Sequence, residues 1–272
     1  MAHPTIEPHN EKAAATWNSA GDAYDEISRG IADSIEHAIF RLSPQPSDKI
    51  LDLATGTGWT SRQLAARGAR VTGVDLGADL VEAARARARG AHLEIEYVVG
   101  DAERLQLGDG IFDAVISTYG VMFSSRPEAA AAEMGRVCKK GGRIALATWT
   151  PDGNVFGMFK VMKPYMPPPP TPAPPSPFDW GRRERIRELF GKDFELGFED
   201  GISYYREPNA GAAWTRFVTG YGPTKMLAKS LDPDRRAALE RDFIAFHALP
   251  QFATELGICV PREYLVTIGI RK

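Results

Sequence analysis

From residue 49 to residue 148, apolar and polar positions alternate between two textures. Short apolar runs at 49–54 (KILDLA), 70–75 (RVTGVD), 95–99 (IEYVV), 112–117 (FDAVIS) and 143–148 (RIALAT) predict strands. Between them, 59–67, 80–89 and 127–138 carry the longer spacing of amphipathic helices. This alternation implies βαβ crossovers, which are nearly always right-handed, and therefore a doubly wound parallel sheet. Ahead of it, 11–24 and 27–42 are Ala-rich, charged and helical in pattern. Beyond it, 194–199 and 262–270 (REYLVTIGI) predict two more strands. No crossover helix follows the last one, so it is expected to complete the sheet as an antiparallel strand.

The region between the fifth strand and the last has a different texture. Nine of the 20 prolines fall within 164–177, which predicts an extended polyproline connector before Phe178, Asp179 and Trp180 resume a folded pattern. Residues 153–250 hold 15 of the 26 aromatic side chains, a surplus suited to a pocket or to a second core. Trp214, Phe217, Val218 and Tyr221 share one helical face, and Leu239, Phe243, Phe246 and His247 share another. Two such helices pack together without needing a ligand. Placed over the C-terminal edge of the sheet, they are expected to form a lid over an apolar acceptor pocket. The expected organisation is N-terminal helices capping the site (1–47), a sheet core (48–150), a lid segment with its proline connector and one core strand (151–256), and the last strand (257–272).

Composition narrows the function. Lys and Arg number 33 against 35 Asp and Glu, a net charge of −2, which offers no basic field for nucleic acid. No run approaches the ~20 apolar residues of a membrane helix. Cys138 and Cys259 cannot build a disulfide framework or a four-ligand zinc site. Glu7, Glu11 and Lys12 interrupt any apolar leader, so the expectation is a cytoplasmic protein with no metal and no membrane insertion.

The chemistry gathers at Asp52-Leu-Ala-Thr-Gly-Thr-Gly58, which follows a strand and opens a helix. Glycines there allow positive φ and close approach of a ligand, and free amides at the helix start attract a negative group. Asp75 closes the second strand, where a carboxylate can accept both hydroxyls of a ribose. A pyrophosphate would need a third glycine, yet Ser61 stands in its place and Trp59 directly follows Gly58. An NAD(P)-dependent oxidoreductase is thus the weaker alternative. A smaller anion, the carboxylate of S-adenosylmethionine, suits the turn, as does a tight turn with no ligand.

In order along the chain, 50–58 (ILDLATGTG), 71–75 (VTGVD), 99–103 (VGDAE), 112–123 (FDAVISTYGVMF), 127–137 (PEAAAAEMGRV) and 140–143 (KGGR) resemble the motifs of class I S-adenosylmethionine-dependent methyltransferases, in the branch of ubiquinone and menaquinone biosynthesis enzymes. The resemblance implies a Rossmann-like, seven-stranded, mostly parallel α/β sheet with an antiparallel last strand and a helical lid inserted after strand five. It places Ala54, Thr55, Gly56 and Gly58 along the methionine moiety of the cofactor, with Asp52 reaching its amino group. Asp75 and Leu76 would hold the ribose, Asp101 and Ala102 the adenine, and the run from Ser117 to Gly120 would lie beside the sulfonium. Tyr24 belongs to a helix expected to close over the cofactor. Two departures stand out: Lys139-Lys140 precedes the double glycine where Lys-Pro is common, and Ala54 replaces the family's first glycine, which is tolerable if its φ is negative.

Methyl transfer is an in-line displacement for which alignment and exclusion of water are the main tasks, and a base is needed only when the acceptor must lose a proton. Ser117-Thr118-Tyr119-Gly120 stands where methylases of exocyclic amines carry Asn/Asp-Pro-Pro-Tyr/Phe. The expected acceptor is therefore a small hydrophobic or aromatic molecule methylated on oxygen or carbon, contacted by Met122, Phe123, Trp214, Phe217, Tyr221 and Phe246. His247 and Tyr119 are the candidate catalytic groups, and a homodimer is the assembly held open. A non-catalytic S-adenosylmethionine-binding module is the alternative from another class.

Overall fold

The computed structural model describes residues 6–169, 171 and 173–272. Its sheet is built on β1 (Lys49–Leu53), β2 (Arg70–Asp75), β3 (Glu96–Val99), β4 (Phe112–Thr118) and β5 (Cys138–Trp149), joined by α4 (Trp59–Ala65), α5 (Ala78–Gly90) and α6 (Pro127–Val137). These five strands pair in parallel in the order β3-β2-β1-β4-β5. Helices cover both faces, so β1 and β4 are apolar almost throughout and buried at nearly every position.

Beyond β5 lie β6 (Phe194–Glu207) and β8 (Gly257–Arg271), with a two-residue strand β7 (Ala253–Thr254) beside β8. β8 inserts antiparallel between β5 and β6, completing a mostly parallel sheet with an antiparallel last strand. β6 and β8 run about twice as far as their apolar runs suggest, with register held from Phe194↔Arg271 to Glu207↔Ile258. The pattern missed 200–207 (DGISYYRE) because β6 is a sheet edge whose outward side chains are polar or exposed.

Three N-terminal helices, α1 (Glu11–Asn18), α2 (Tyr24–Arg29) and α3 (Ala32–Leu42), precede the sheet. Helix α3 carries a strong apolar stripe, packs on β5 and β8, and ends where Ser43 turns left-handed at φ 53°. The helical insertion is split by β6. Helices α7 (Asn154–Met162) and α8 (Arg183–Phe190) precede that strand, while α9 (Ala210–Gly220), α10 (Gly222–Ser230) and α11 (Pro233–His247) follow it. Asn209 and Asp232 cap α9 and α11 by accepting bonds from Ala212 N and Arg235 N. The N-terminal helices meet this insertion directly, α1 against α10 and α2 against α9.

The proline segment is less uniform than expected. Lys163–Tyr165 and Pro177–Gly181 are single 3₁₀ turns flanking irregular backbone, and Pro170 and Pro172 lie outside the described residues. Among the described residues no helix is long and apolar enough to cross a membrane.

Candidate active site

The C-terminal ends of β1, β2 and β4 open onto one cavity. The turn after β1 forms its floor. Thr55 N bonds Val74 O at 3.0 Å, and Gly58 N bonds Thr55 O at 2.9 Å, coiling the chain into α4. This path sets Ala54, Gly56 and Gly58 at φ of 58°, 57° and 77°. Ala54 thus occupies the left-handed region, contrary to the negative φ expected of it, at a cost of ~1–2 kcal/mol. A Cβ on Gly58 would overlap the Tyr97 hydroxyl, so glycine is required there by space as well as by φ.

Three strand-end acids surround this turn. Asp52 is buried, and its Oδ2 accepts bonds from Thr55 Oγ1 and Ser61 Oγ, both at 2.6 Å. Ser61, which breaks the dinucleotide spacing, is therefore a ligand of Asp52. The other oxygen, Oδ1, is buried without a partner. Burial, with the charge of Asp75 adding to it, pushes the Asp52 carboxyl up to about 6, against the hydroxyl bonds that lower it. Asp75 accepts from Gly56 N at 2.8 Å and Gly77 N at 2.9 Å, and burial raises its pKa too. Asp101 is only 1% exposed and fully engaged: it takes Glu7 N at 3.0 Å, Asn10 Nδ2 at 2.9 Å and Glu103 N at 2.9 Å.

Those bonds tie an N-terminal strap across the cavity. Asn10, Ala13, Trp17 and Tyr24 form one wall of it. Trp17 meets Tyr24, Phe123 and Tyr221 edge-on, at centroid distances of 6.2, 4.9 and 5.5 Å. Tyr24 covers Gly56, where an added Cβ would lie 2.9 Å from the ring. Asp25 beside it accepts from both Thr57 Oγ1 and Arg62 Nη2 at 2.9 Å, locking α2 to the turn.

Of the residues expected at the cofactor, Tyr24, Ala54, Gly56, Asp75, Leu76, Asp101 and Ala102 line the cavity. Asp52, Thr55, Gly58 and Ser117 are not in its wall; Ser117 Oγ instead accepts Val121 N at 3.0 Å and shapes the turn after β4. Tyr119 lines the cavity with φ 61°, stacks on Trp149 at 3.9 Å, and has a buried hydroxyl without a partner. Burial drives its pKa well above the ordinary phenol value, so it stays protonated.

On the acceptor side, Phe123 lines the cavity, whereas Met122, Trp214, Phe217, Tyr221 and Phe246 are not in its wall. Trp214 and Phe217 pack on Phe243, both near 5.5 Å, and their helical spacing is that of a core between α9 and α11. Tyr221 meets the site through Trp17, and through Phe159, which stacks on Phe123. His247 belongs to the same core: it is 1% exposed, stacks on Phe243 at 4.4 Å and gives its Nδ1 proton to Phe243 O at 2.9 Å. Burial lowers its pKa to about 4, which keeps it neutral and a poor base. His247→Gln is expected to leave any pH–rate limb near neutrality in place and to cost about 1 kcal/mol of stability, read by denaturant unfolding.

Sequence reasoning missed the partnership of Glu7 and Asn10 with Asp101, which spans more than 90 positions and leaves no local signal. Gly120, expected beside the sulfonium, does line the cavity, and a Cβ there would overlap that of Ala54.

Residues 51–146 match the family model described as a methyltransferase domain. The uncharacterized protein Rv1403c of Mycobacterium tuberculosis is 41% identical over 143 residues, 53% of this chain and 52% of its own length. Demethylmenaquinone methyltransferase of Corynebacterium kroppenstedtii is 30% identical over 155 residues, 55% of this chain and 65% of that protein. The chain thus spans about half the length of the first of these curated relatives. The crystal structure of the YcgJ protein of Bacillus subtilis superposes with a TM-score of 0.62 at 18% identity, covering 89% of this chain and 99% of that one, and has the same fold.

Proposed function

We propose that this chain, whose residues 51–146 match a methyltransferase domain, is a class I S-adenosylmethionine-dependent methyltransferase that methylates an oxygen or carbon of a small apolar or aromatic acceptor. The observation that carries the cofactor reading is the charge of the cavity. Its wall contains Asp75, Asp101 and Glu103 and, among the described residues, no lysine, arginine or histidine, while the unpartnered Oδ1 of Asp52 lies beneath the turn. A pyrophosphate would meet repulsion here. S-adenosylmethionine, which brings an ammonium, a sulfonium and a methyl group already activated for displacement, suits these acids. In this reading Asp52 faces the ammonium, the amides near Gly56 face the carboxylate, Asp75 holds the ribose, and Ala102 meets the adenine. Asp101 acts by pinning the strap that closes the site.

The chain's own contribution is placement and dryness. Trp17, Tyr24 and Phe123 wall the cavity with rings that would exclude water around bound ligands and so strengthen the charge interactions inside. Tyr119, kept protonated, can donate a hydrogen bond to an acceptor oxygen but does not remove a proton from it. Release of S-adenosylhomocysteine over a panel of phenols, quinols and amines tests the activity. The proposal fails if no member is methylated by a protein that binds the cofactor.

The acids also set a pH dependence. With its folded pKa near 6, above the unfolded value of 3.8, Asp52 favours the folded state below the unfolded value and loses that contribution as pH rises through about 6. Asp52→Asn should therefore stabilise the free protein at neutral pH. It should also weaken cofactor affinity and remove the drop in affinity expected of the wild type below about pH 6. Melting and calorimetry across that range check both halves.

A further inference from the structure

Arg262 is a buried cation with no counterion in contact among the described residues. It lies in β8 with 6% exposure, and its only direct partners among the described residues are two aromatic rings. Its Cζ stands 3.8 Å from the centre of Tyr205 and 5.5 Å from that of Phe217, with no ion pair and no hydrogen bond to any donor-matched group. Glu207, a carboxylate that feels this charge, is already held by Arg216 Nε and by the Tyr205 hydroxyl at 3.1 Å. A guanidinium has five donors in a planar fork, and at 6% exposure this one meets little water while none of its donors has a protein acceptor among the described residues. A stable core would replace such a residue with an apolar one.

Its position gives it a use. β8 runs opposite to β5, with Trp149 paired to Tyr264, so Arg262 extends past the end of β5 on the edge where the cavity opens. Tyr119, a wall of that cavity, stacks on Trp149 and approaches Tyr264 at 6.4 Å. The charge of Arg262 is felt by Tyr119, Tyr221 and Tyr205, and by His247. Behind the Tyr119 wall, then, one positive charge and an unpartnered phenol hydroxyl stand among aromatic rings.

We propose that Arg262 recognises an anionic group of the acceptor, and that the acceptor is an apolar or aromatic carboxylic acid whose carboxylate pairs with the guanidinium. This rests on the methyltransferase reading and makes Arg262 a specificity-determining residue. A carboxylate matches the planar fork and the single positive charge, whereas a phosphate dianion would leave excess negative charge near Glu207.

The test uses the full chain, with and without S-adenosylhomocysteine, and measures the affinity of benzoate, phenylacetate and 3-phenylpropionate, each against its own amide. The expected result is a preference for the carboxylates of about tenfold or more, the scale of charge-assisted bonding. Arg262→Met should erase that preference, leave S-adenosylhomocysteine affinity unchanged, and raise the melting temperature, because an uncompensated buried charge has gone. If Arg262→Met does not fold, Arg262→Lys takes its place and should reduce the preference. Equal binding of acids and amides by the wild type overturns the proposal, as does a preference that survives Arg262→Met. A lowered melting temperature with the preference intact identifies a packing cation. Failure of the wild type to bind S-adenosylhomocysteine rejects the cofactor reading instead, and the acid–amide comparison made without it still decides Arg262.

Discussion

Asp75→Ala should weaken S-adenosylmethionine binding by about 1.5–3 kcal/mol, roughly ten- to a hundredfold, the scale of hydrogen bonds to a charged group. Asp75 ends β2 in the cavity wall, one turn of chain away from the glycine floor. Each of its oxygens accepts one backbone amide, Gly56 N and Gly77 N, and keeps a further lone pair for a ligand hydroxyl. Burial raises its pKa, so the charge is held at a cost that a purely structural brace would not need. The same two amide bonds mean that alanine also loosens the turn. Melting and calorimetry on one preparation separate the effects. A brace would lower stability while the folded fraction kept its cofactor affinity, and a ribose ligand would lose affinity in protein that is fully folded. Asp75→Asn, which preserves the acceptor oxygen but not the charge, should fall between wild type and alanine.

The second large effect is expected at Gly120. An added Cβ there would overlap the Cβ of Ala54 and lie 2.9 Å from the Ala54 carbonyl oxygen, so the chain leaving β4 presses directly on the turn leaving β1. Both neighbours are already strained, Ala54 at φ 58° and Tyr119 at φ 61°. Gly120→Ala should cost ~1–3 kcal/mol of stability and reduce cofactor affinity, since Gly120 and Ala54 both line the cavity. Ala54→Gly relieves its own left-handed strain while gaining flexibility in the unfolded chain, and so should be close to neutral. Combined, the two changes should be less harmful than their sum, by a coupling of ~0.5–3 kcal/mol measured in a double-mutant cycle. Strict additivity would mean that the two turns do not touch as described.

The sheet was legible because the central strands β1 and β4 are buried at nearly every position and read as short apolar runs, and because Asp52, Asp75 and Asp101 mark three strand ends. Side chains at those ends were legible as a set, but their individual duties were not. Asp101 reads as a ligand-facing acid, yet its oxygens are taken by Glu7, Asn10 and Glu103, partners set by the path of a distant strap. Ala54 reads as a residue needing negative φ, yet the turn's own hydrogen bonds fix it on the other side. His247 reads as a base because it is alone on an aromatic face, and that same aromatic face buries it neutral against Phe243. Arg262 reads only as one member of an alternating strand. Its significance lies in the lack of a partner, which sequence periodicity does not record.

A calorimetric titration of S-adenosylhomocysteine, alongside NAD⁺, into the full chain at neutral pH tests the central claim most directly. An acidic cavity walled by Asp75, Asp101 and Glu103 beside Ala54 and Gly56 predicts one site for S-adenosylhomocysteine, weakened in Asp75→Ala, and no heat from NAD⁺. Saturable binding of NAD⁺ with none of S-adenosylhomocysteine would contradict it.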